Sequence, residues 1–511
     1  MPHLSTFSFL LSTLLVVFPA LAGARFEVSS PTPQPPGRLF VLITPAPPDS
    51  KPSDSTPPAA NSILREYDYS AGLDATFKDT TATTLDDTAT HQPIPPSKLP
   101  PGKYLAQAVL DLHRQDSEWR REPGNLFSPP TPFTVVEGQT TTVPLALTNT
   151  VQPRPNQTTT APTNPDFHIF EIKSDLLSAF YNKDIYLKAG VLIPKDHDPA
   201  KAYPTIYEVP GFGGDGMRPP RMWRPTIPPE LATGAFYIAL NPESENGHTL
   251  FANSANNGPR ADALIQELLP ALEKKYNLIP HPSARLLRGH SSGGWSTLWL
   301  ASQYPATFGA TWSTSPDPVD FRKFELINIY QDPNFYYYPD GSLIPSEMND
   351  GKVTLTVKAE TAREEPLGAR NTSGQQWDSW MSVWGSRAPD GHIADLYDVS
   401  TGAIHHAEAE HYKQYDIALL LRQDPQRYLP IFQQNVRLIC GLADNYYLHE
   451  AIILLNQDIQ QLSEKSPPPP NSAGYIKLLP KYDHSDIYSS PELRNIPAEM
   501  LTHLRNAGHL K

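Results

Sequence analysis

Cysteine is almost absent: the 511 residues include one, Cys440. A lone thiol excludes an intramolecular disulfide. A secreted chain of this size without disulfides fits a bacterial exported protein better than a disulfide-rich eukaryotic one. Positive charge is short as well. Lys and Arg number 41 against 54 Asp and Glu, leaving a formal net charge of −13. That balance argues against nucleic acid or an anionic membrane surface as a main partner. Long apolar runs are missing beyond the N-terminus, so no later segment is expected to cross a bilayer. The early apolar stretch, Phe7 to Ala20, is followed by Ala20-Leu21-Ala22 and Ala22-Gly23-Ala24, two small-residue cleavage options. Residues 1–24 therefore read as a signal peptide, and the mature protein is expected in the periplasm or outside the cell. The segment before Phe7 has no Lys or Arg, which is atypical of such signals. Ser12, Thr13 and Pro19 interrupt the stretch and speak against the competing reading, an uncleaved anchor.

Proline is what the chain has in excess: 57 residues, about twice the average usage. It concentrates in the first third and around residues 466–470, where it marks loops and linkers rather than a collagen-like repeat. Between those prolines, Gly37 to Ile43, Tyr104 to Leu112, Asn125 to Phe127, Phe133 to Val136 and Thr141 to Leu147 read as short strands. Short strands cut by Pro and Gly predict a small β-sandwich-like domain over residues 25–148. Residues 78–100 read as a polar loop, and residues 149–165 as a linker. Asn156 and Asn371 head glycosylation-type triplets, a pattern that often arises by chance.

The pattern changes after Asp166. Strands are predicted at Asp184 to Ile193, Tyr203 to Val209, Ala235 to Leu240, Arg285 to Arg288, Val436 to Gly441 and Tyr475 to Leu479. They alternate with helices at Ala261 to Tyr276, Ser296 to Gln303 and His449 to Leu462. Pro259 is placed at a helix N1 position, and Pro270 is expected to kink or split its helix. The alternation predicts an α/β fold over residues 166–511, a mostly parallel sheet with helices on both faces. Residues 316–435 do not fit it. They hold Tyr336-Tyr337-Tyr338, Trp377, Trp380 and Trp384, with a strand-like stretch at Val353 to Val357. A lid inserted over the sheet and ordinary packing are both open readings.

The chemistry centres on Gly289-His290-Ser291-Ser292-Gly293-Gly294. Gly-x-Ser-x-Gly between a strand and a helix puts the serine on a strained turn. A side chain at either flanking glycine would crowd that bend. The turn lifts the hydroxyl clear of the sheet and aims a helix N-terminus at a developing oxyanion. A serine hydroxyl is a weak nucleophile at neutral pH and needs a histidine base oriented by a carboxylate. Asp444 follows the strand Val436 to Cys440 directly, where a catalytic acid is expected. Its competing role is to cap the next helix. His484, in the loop after Tyr475 to Leu479, is the expected base, whereas His503 and His509 read as solvated. Asp483 adjoins His484 too closely in sequence to orient its imidazole easily. The oxyanion donors are expected to be the backbone N–H of Ser292 and that of Phe212 or Gly213, in the glycine-rich loop Gly211-Phe212-Gly213-Gly214. His405, His406, Glu408, Glu410 and His411 do not carry a recognised zinc spacing and read as a solvated helix face. No metal and no cofactor is expected.

Taken together, these residues resemble the esterase branch of the α/β-hydrolases that includes esterase D, enterochelin esterases, feruloyl esterases and mycolyltransferases. The resemblance spans about residues 166–511. It rests on Gly-His-Ser-Ser-Gly-Gly at 289–294, Tyr304-Pro305-Ala306-Thr307-Phe308-Gly309, and Gly-Leu-Ala-Asp-Asn-Tyr-Tyr-Leu at 441–448. Asn256-Asn257-Gly258-Pro259-Arg260 is similar to a segment that these esterases place beside the site. Ser292 stands where the family often has Met, and Pro210 where it often has His. The second departure bears on the oxyanion donor, not on the nucleophile. The resemblance implies an α/β-hydrolase fold, a Ser-Asp-His triad and carboxylic-ester hydrolysis. It does not fix the substrate. Export and the aromatic-rich insertion point to small-molecule or polysaccharide esters, with aromatic rings stacking on sugar or hydroxycinnamoyl groups. Acyl transfer on the same fold, a peptidase and a non-catalytic binding protein are the competing readings.

Overall fold

A computed structural model describes residues 23–46, 62–64, 66–78, 82–112, 116–152, 166–217 and 227–511. The signal segment up to residue 22, the linker from 153 to 165 and the Asn156 triplet lie outside the described residues. Among the described helices, none is long and apolar enough to cross a membrane.

Residues 23–150 form two β-sheets. One is three-stranded, with Gly23–Ser29 between Thr83–Leu85 and Thr140–Ala146. The other is built around Gln34–Pro45, flanked by Tyr69–Phe77 and Gly102–Asp111. Alternate side chains of both sheets meet in one core, with Phe26 and Val28 from the first against Leu39, Val41, Ala106 and Ala108 from the second. The first strand opens at Gly23, so Gly23 and Ala24, assigned to the signal segment, pair with Thr140 and Thr141 instead. Residues 78–100 carry the short strands Thr83–Leu85 and Thr90–Gln92, which corrects the loop expected there. Asn149–Thr150, the start of the expected linker, pairs with Leu126–Phe127.

The C-terminal part is an eight-stranded sheet covered by helices. Its strands are β1 (Phe167–Ser174), β2 (Ile185–Leu192), β3 (Thr205–Val209), β4 (Phe236–Leu240), β5 (Arg285–His290), β6 (Ala310–Thr314), β7 (Val436–Gly441) and β8 (Tyr475–Leu479). Their order is β1-β2-β4-β3-β5-β6-β7-β8. The sheet is mixed. β1 with β2 and β2 with β4 are antiparallel, and the stretch from β4 to β8 is parallel. Five of its seven pairings are therefore parallel, and the antiparallel start is what the expected parallel sheet lacked; the N-terminal sheets are antiparallel almost throughout. Loop length explains the start of the mixed sheet. β1 and β2 are joined by ten residues that include only the short helix Asp175–Tyr181, and a parallel crossover needs a dozen or more.

Strands β3 to β7 are largely buried because helices cover both faces, and β4, Phe236–Leu240, is apolar throughout. The helical run Arg260–Ala263, Leu264–Leu268 and Leu269–Tyr276 is not split at Pro270. Its middle turn is a wide π turn immediately before the proline, which lets the chain pass a residue that has no N–H to donate. Pro259 precedes this run rather than occupying its first turn.

Residues 316–435 lie between β6 and β7 and share one core with the sheet, through Val436, Leu438 and Cys440 of β7. Helix α1 (Ser292–Gln303) contributes Trp295 and Trp299, and helix α2 (Gln376–Trp384) contributes Trp377, Trp380 and Trp384. Those three α2 tryptophans are at most 2% exposed, which removes them from the insertion aromatics expected to stack on a substrate ring. Val353 to Val357, read as strand-like, is split between the strand Lys352–Thr356 and the helix Val357–Glu364. Asn371 is buried, with its amide donating to Asp395 at 2.8 Å, so it does not present an open glycosylation site.

Candidate active site

Strand β5 runs straight into Ser291, which has φ 57° and ψ −127°, and α1 begins at the next residue. That backbone conformation is one L-residues avoid, and the surroundings over-determine it. The Ser291 N–H donates to the Thr314 carbonyl at 3.0 Å, and its own carbonyl accepts from Trp295 at 3.0 Å. A Cβ at Gly289 would run into the Gly293 carbonyl, and one at Gly293 into the Val209 carbonyl. Both glycines are therefore dictated by packing at the bend.

The loops after β7 and β8 are held together by backbone bonds from Leu442 N to Leu479 O (2.9 Å) and from Ala443 N to Tyr482 O (3.1 Å). This brings Asp444 and His484 into contact although 40 residues separate them. His484 Nδ1 lies 2.7 Å from Asp444 Oδ2. Asp444 is fully buried and His484 is 8% exposed. Asn445 Oδ1 accepts from the His484 backbone N–H at 3.1 Å, which fixes the loop as well as the ring. The His290 ring lies 4.4 Å from the His484 ring, and His290 adjoins Ser291 in the chain. Asp444 and His484 are thus paired at the C-terminal ends of β7 and β8, while the Ser291 hydroxyl, beyond the end of β5, donates to Asp317 rather than to His484.

Burial opposes charge on His484. Asp444 above all, then Asp317 and Asp483, outweigh it and hold the imidazole above its ordinary pKa. His290 is pushed the other way, well below the ordinary value, by burial and by the charges of His484 and Arg288. It packs as a neutral ring beside the base.

Ser292 opens α1, where the first N–H groups of a helix have no helical acceptor. The glycine-rich loop lies across from it: a Cβ at Gly211 would come within 3.3 Å of Ser291 Cβ. Gly214 N donates to Gly211 O at 3.0 Å, closing a turn around Phe212 and Gly213. The expected donors therefore stand on the two flanks of Ser291.

Sequence reading missed Asp317. It lies three residues past β6, is 1% exposed, and its Oδ1 is 3.5 Å from Ser291 Oγ. Its Oδ2 accepts from Trp380 Nε1 at 2.7 Å. Burial lifts its carboxyl to about 6 against hydrogen bonds from Ser292, Trp380 and Ser291. The strand-end pattern that singled out Asp444 could not reach Asp317, because Ala310–Thr314 was not among the expected strands. Gln376 also reaches the site, 3.5 Å from Ser292 Oγ. Asn256 and Asn257 instead bind α2 and the turn after it, through Ser382 and Gly385. His405, His406 and Glu410 lie exposed on a helix, and among the described residues no three His, Cys, Asp or Glu side chains are grouped to hold a metal.

A family model described as "Putative esterase" matches residues 184–432. No curated protein matches the chain. Among solved structures, a ferulic acid esterase is similar at 13% identity over 66% of this chain and 99% of its own, with a TM-score of 0.39. An S-formylglutathione hydrolase from Staphylococcus aureus is similar at 14% identity over 66% of this chain and 99% of its own, with a TM-score of 0.36. Dipeptidyl peptidase 4 from Porphyromonas gingivalis is similar at 13% identity over 79% of this chain and 42% of its own, with a TM-score of 0.39.

Proposed function

We propose, from the premise that this chain is a carboxylic ester hydrolase whose residues 184–432 fall in the esterase family, that it is an exported serine esterase working through Ser291, His484 and Asp444. Ser291 Oγ attacks the ester carbonyl while His484 takes its proton. Asp444 keeps Nδ1 protonated and the ring aimed, and stabilises the imidazolium that forms. The carbonyl oxygen, now an anion, is held by the Ser292 N–H and by that of Phe212 or Gly213. His484 then protonates the leaving alkoxide, which departs as the alcohol and leaves an acyl-enzyme. A water that gives its proton to His484 hydrolyses the acyl-enzyme and restores Ser291.

The observation that carries this reading is the 2.7 Å bond between the buried Asp444 and His484, beside a serine held in a strained strand-to-helix turn. The N-terminal sheets stand as an accessory β domain on the same exported polypeptide. Export keeps polysaccharide-borne esters within the substrate class, with the buried tryptophans of the insertion excluded from any ring stacking. Release of acid from acetylated, feruloylated and glucuronoylated polysaccharides distinguishes among such esters. The primary test is hydrolysis of p-nitrophenyl acetate and labelling by a fluorophosphonate, with Ser291→Ala as the control. Turnover and labelling that both vanish in Ser291→Ala are expected. Wild-type protein that neither labels nor turns over would overturn the reading.

A further inference from the structure

The N-terminal sheets touch the rest of the chain at a telling place. Between Gly102–Asp111 and Leu126–Phe127 the chain sends out a loop carrying Asp116, Ser117 and Arg121. Asp116 grips the Arg121 guanidinium through Nε at 3.0 and 3.2 Å and through Nη2 at 3.1 Å. Arg121 Nη1 donates to the Gly213 carbonyl at 2.9 Å. Two further carboxylates, Asp215 and Glu243, each lie 3.7 Å from the same guanidinium. Ser117 Oγ donates to Glu243 at 2.8 Å, and Ser117 packs against Gly374 just before α2. The contact is mostly buried, with the Arg121 side chain 13% exposed and that of Glu243 2%.

Gly213 belongs to the glycine-rich turn beside Ser291. Its φ is +73°, and glycines flank Phe212, so the peptide planes here rotate freely unless something holds them. One end is held by His248. Its Nδ1 accepts from the Leu250 N–H at 3.1 Å, which leaves Nε2 to donate to the Pro210 carbonyl at 2.9 Å. The other end is held by Arg121 through Gly213 O and Asp215.

We propose that Arg121, carried by the N-terminal β unit, is a positioning residue of the active site: by holding the Gly213 carbonyl it anchors the Gly213–Gly214 peptide, and with it the far end of the turn whose Phe212 or Gly213 N–H supplies the second oxyanion donor. The inference rests on the serine-esterase reading and deepens it. The N-terminal unit then completes the site rather than trailing from it. A guanidinium is suited to the task because its planar fork engages a carboxylate on one edge and a carbonyl on another. An ammonium in its place keeps the charge but loses the fork.

Oxyanion donors act when charge develops on the carbonyl oxygen, so a misplaced turn lowers kcat and spares KM. The test uses the full chain. Arg121→Lys and Arg121→Gln are compared with wild type on p-nitrophenyl acetate, and rates are normalised to active sites titrated with a fluorophosphonate. Because Arg121→Gln leaves three carboxylates without their cation and risks misfolding, Asp116→Asn serves as a second variant that loosens the guanidinium without removing it. Expected is a kcat per titrated site lowered roughly ten- to a hundred-fold in Arg121→Gln, with KM within about two-fold and the pH profile unmoved. Arg121→Lys and Asp116→Asn should be intermediate in the same pattern. Inhibition by phenylboronic acid, which mimics the tetrahedral state, should weaken in step with kcat. If kcat per titrated site stays within two-fold of wild type in the variants that fold, Arg121 is a structural contact and the inference fails. That outcome leaves the Ser291 reading standing, since it requires an active, labelled wild type.

Discussion

Replacing Asp444 with Asn should separate the triad reading from a coincidental contact. The change keeps the volume of the side chain and its ability to accept the Tyr446 backbone N–H, now 3.1 Å from Oδ1. The local turn should therefore survive. What is lost is the negative charge 2.7 Å from His484 Nδ1, in a place where Asp444 has no exposure. With charge centres roughly 4 Å apart and an effective dielectric near 20, a carboxylate stabilises an imidazolium by about 4 kcal/mol. At about 1.4 kcal/mol per decade, kcat should fall by about three decades. The pH dependence gives a second, independent sign. Burial lowers the His484 pKa, but Asp444 is the largest of the charges that raise it above the ordinary value. The base works only when neutral, so the acid limb of kcat/KM lies at the His484 pKa. Removing Asp444 lowers that pKa, and the residual activity should extend to lower pH. The assay is steady-state hydrolysis of p-nitrophenyl acetate across the acid range, with a thermal melt to confirm folding. Asp483→Asn is the control, because Asp483 bonds the backbone of its own loop at Ser485 and Asp486 and should cost only a few-fold. A fall in kcat of less than ten-fold, or an acid limb that moves upward, would refute the reasoning.

Two further outcomes follow from neighbouring groups. Asp317 also raises the His484 pKa, and its own carboxyl, lifted by burial to about 6, loses its charge as the pH falls through that value. Asp317→Asn should therefore move the acid limb of kcat/KM to lower pH and reduce it to a single ionisation; a limb that moves upward would show that Asp317 does not act on the base. Gly293→Ala would place a methyl group against the Val209 and Pro210 carbonyls, backbone atoms that cannot step aside. The expected loss is about 1–3 kcal/mol of stability in urea unfolding, together with most of the activity, and a variant as stable and as active as wild type would contradict the packing at this bend.

The strained serine turn at Ser291 was legible in the sequence because its signal is local: a strand, two glycines that packing forbids from carrying a side chain, and a helix, all within a few residues. Asp444 and His484 were legible because each follows directly on a strand that could be read. Their partnership was not. It depends on β7 lying next to β8, an adjacency that no spacing along the chain encodes; Asp317 follows β6, Ala310–Thr314, a strand the sequence pattern did not reveal. The insertion was left open between a lid and ordinary packing for a related reason. Its tryptophans suggested a binding surface, yet Trp377, Trp380, Met381 and Trp384 follow the i, i+3, i+4, i+7 pattern of one helix face. That face is buried against Trp295 and Phe324. In the N-terminal part, the strand Tyr69–Phe77 escaped notice because Gly72, Asp74 and three alanine or serine residues dilute its β character.

The two acids at adjacent strand ends do different work because their surroundings differ. Asp444 faces the imidazole, and its charge is matched by the proton the base acquires. Asp317 spends one oxygen on the Trp380 N–H and turns the other toward the Ser291 hydroxyl. Its state of charge thus depends on a side chain of the insertion, since the Trp380 bond holds its pKa down against burial. The glycine-rich turn on the other flank of Ser291 depends in the same way on Arg121 of the N-terminal unit. The strands of the large sheet carry Ser291, Asp444 and His484 at their ends, but each flank of Ser291 is finished by a segment outside that sheet. Substitutions in either segment should therefore change the reaction at Ser291 without touching the triad, through pH dependence on the Asp317 side and through kcat on the Gly213 side.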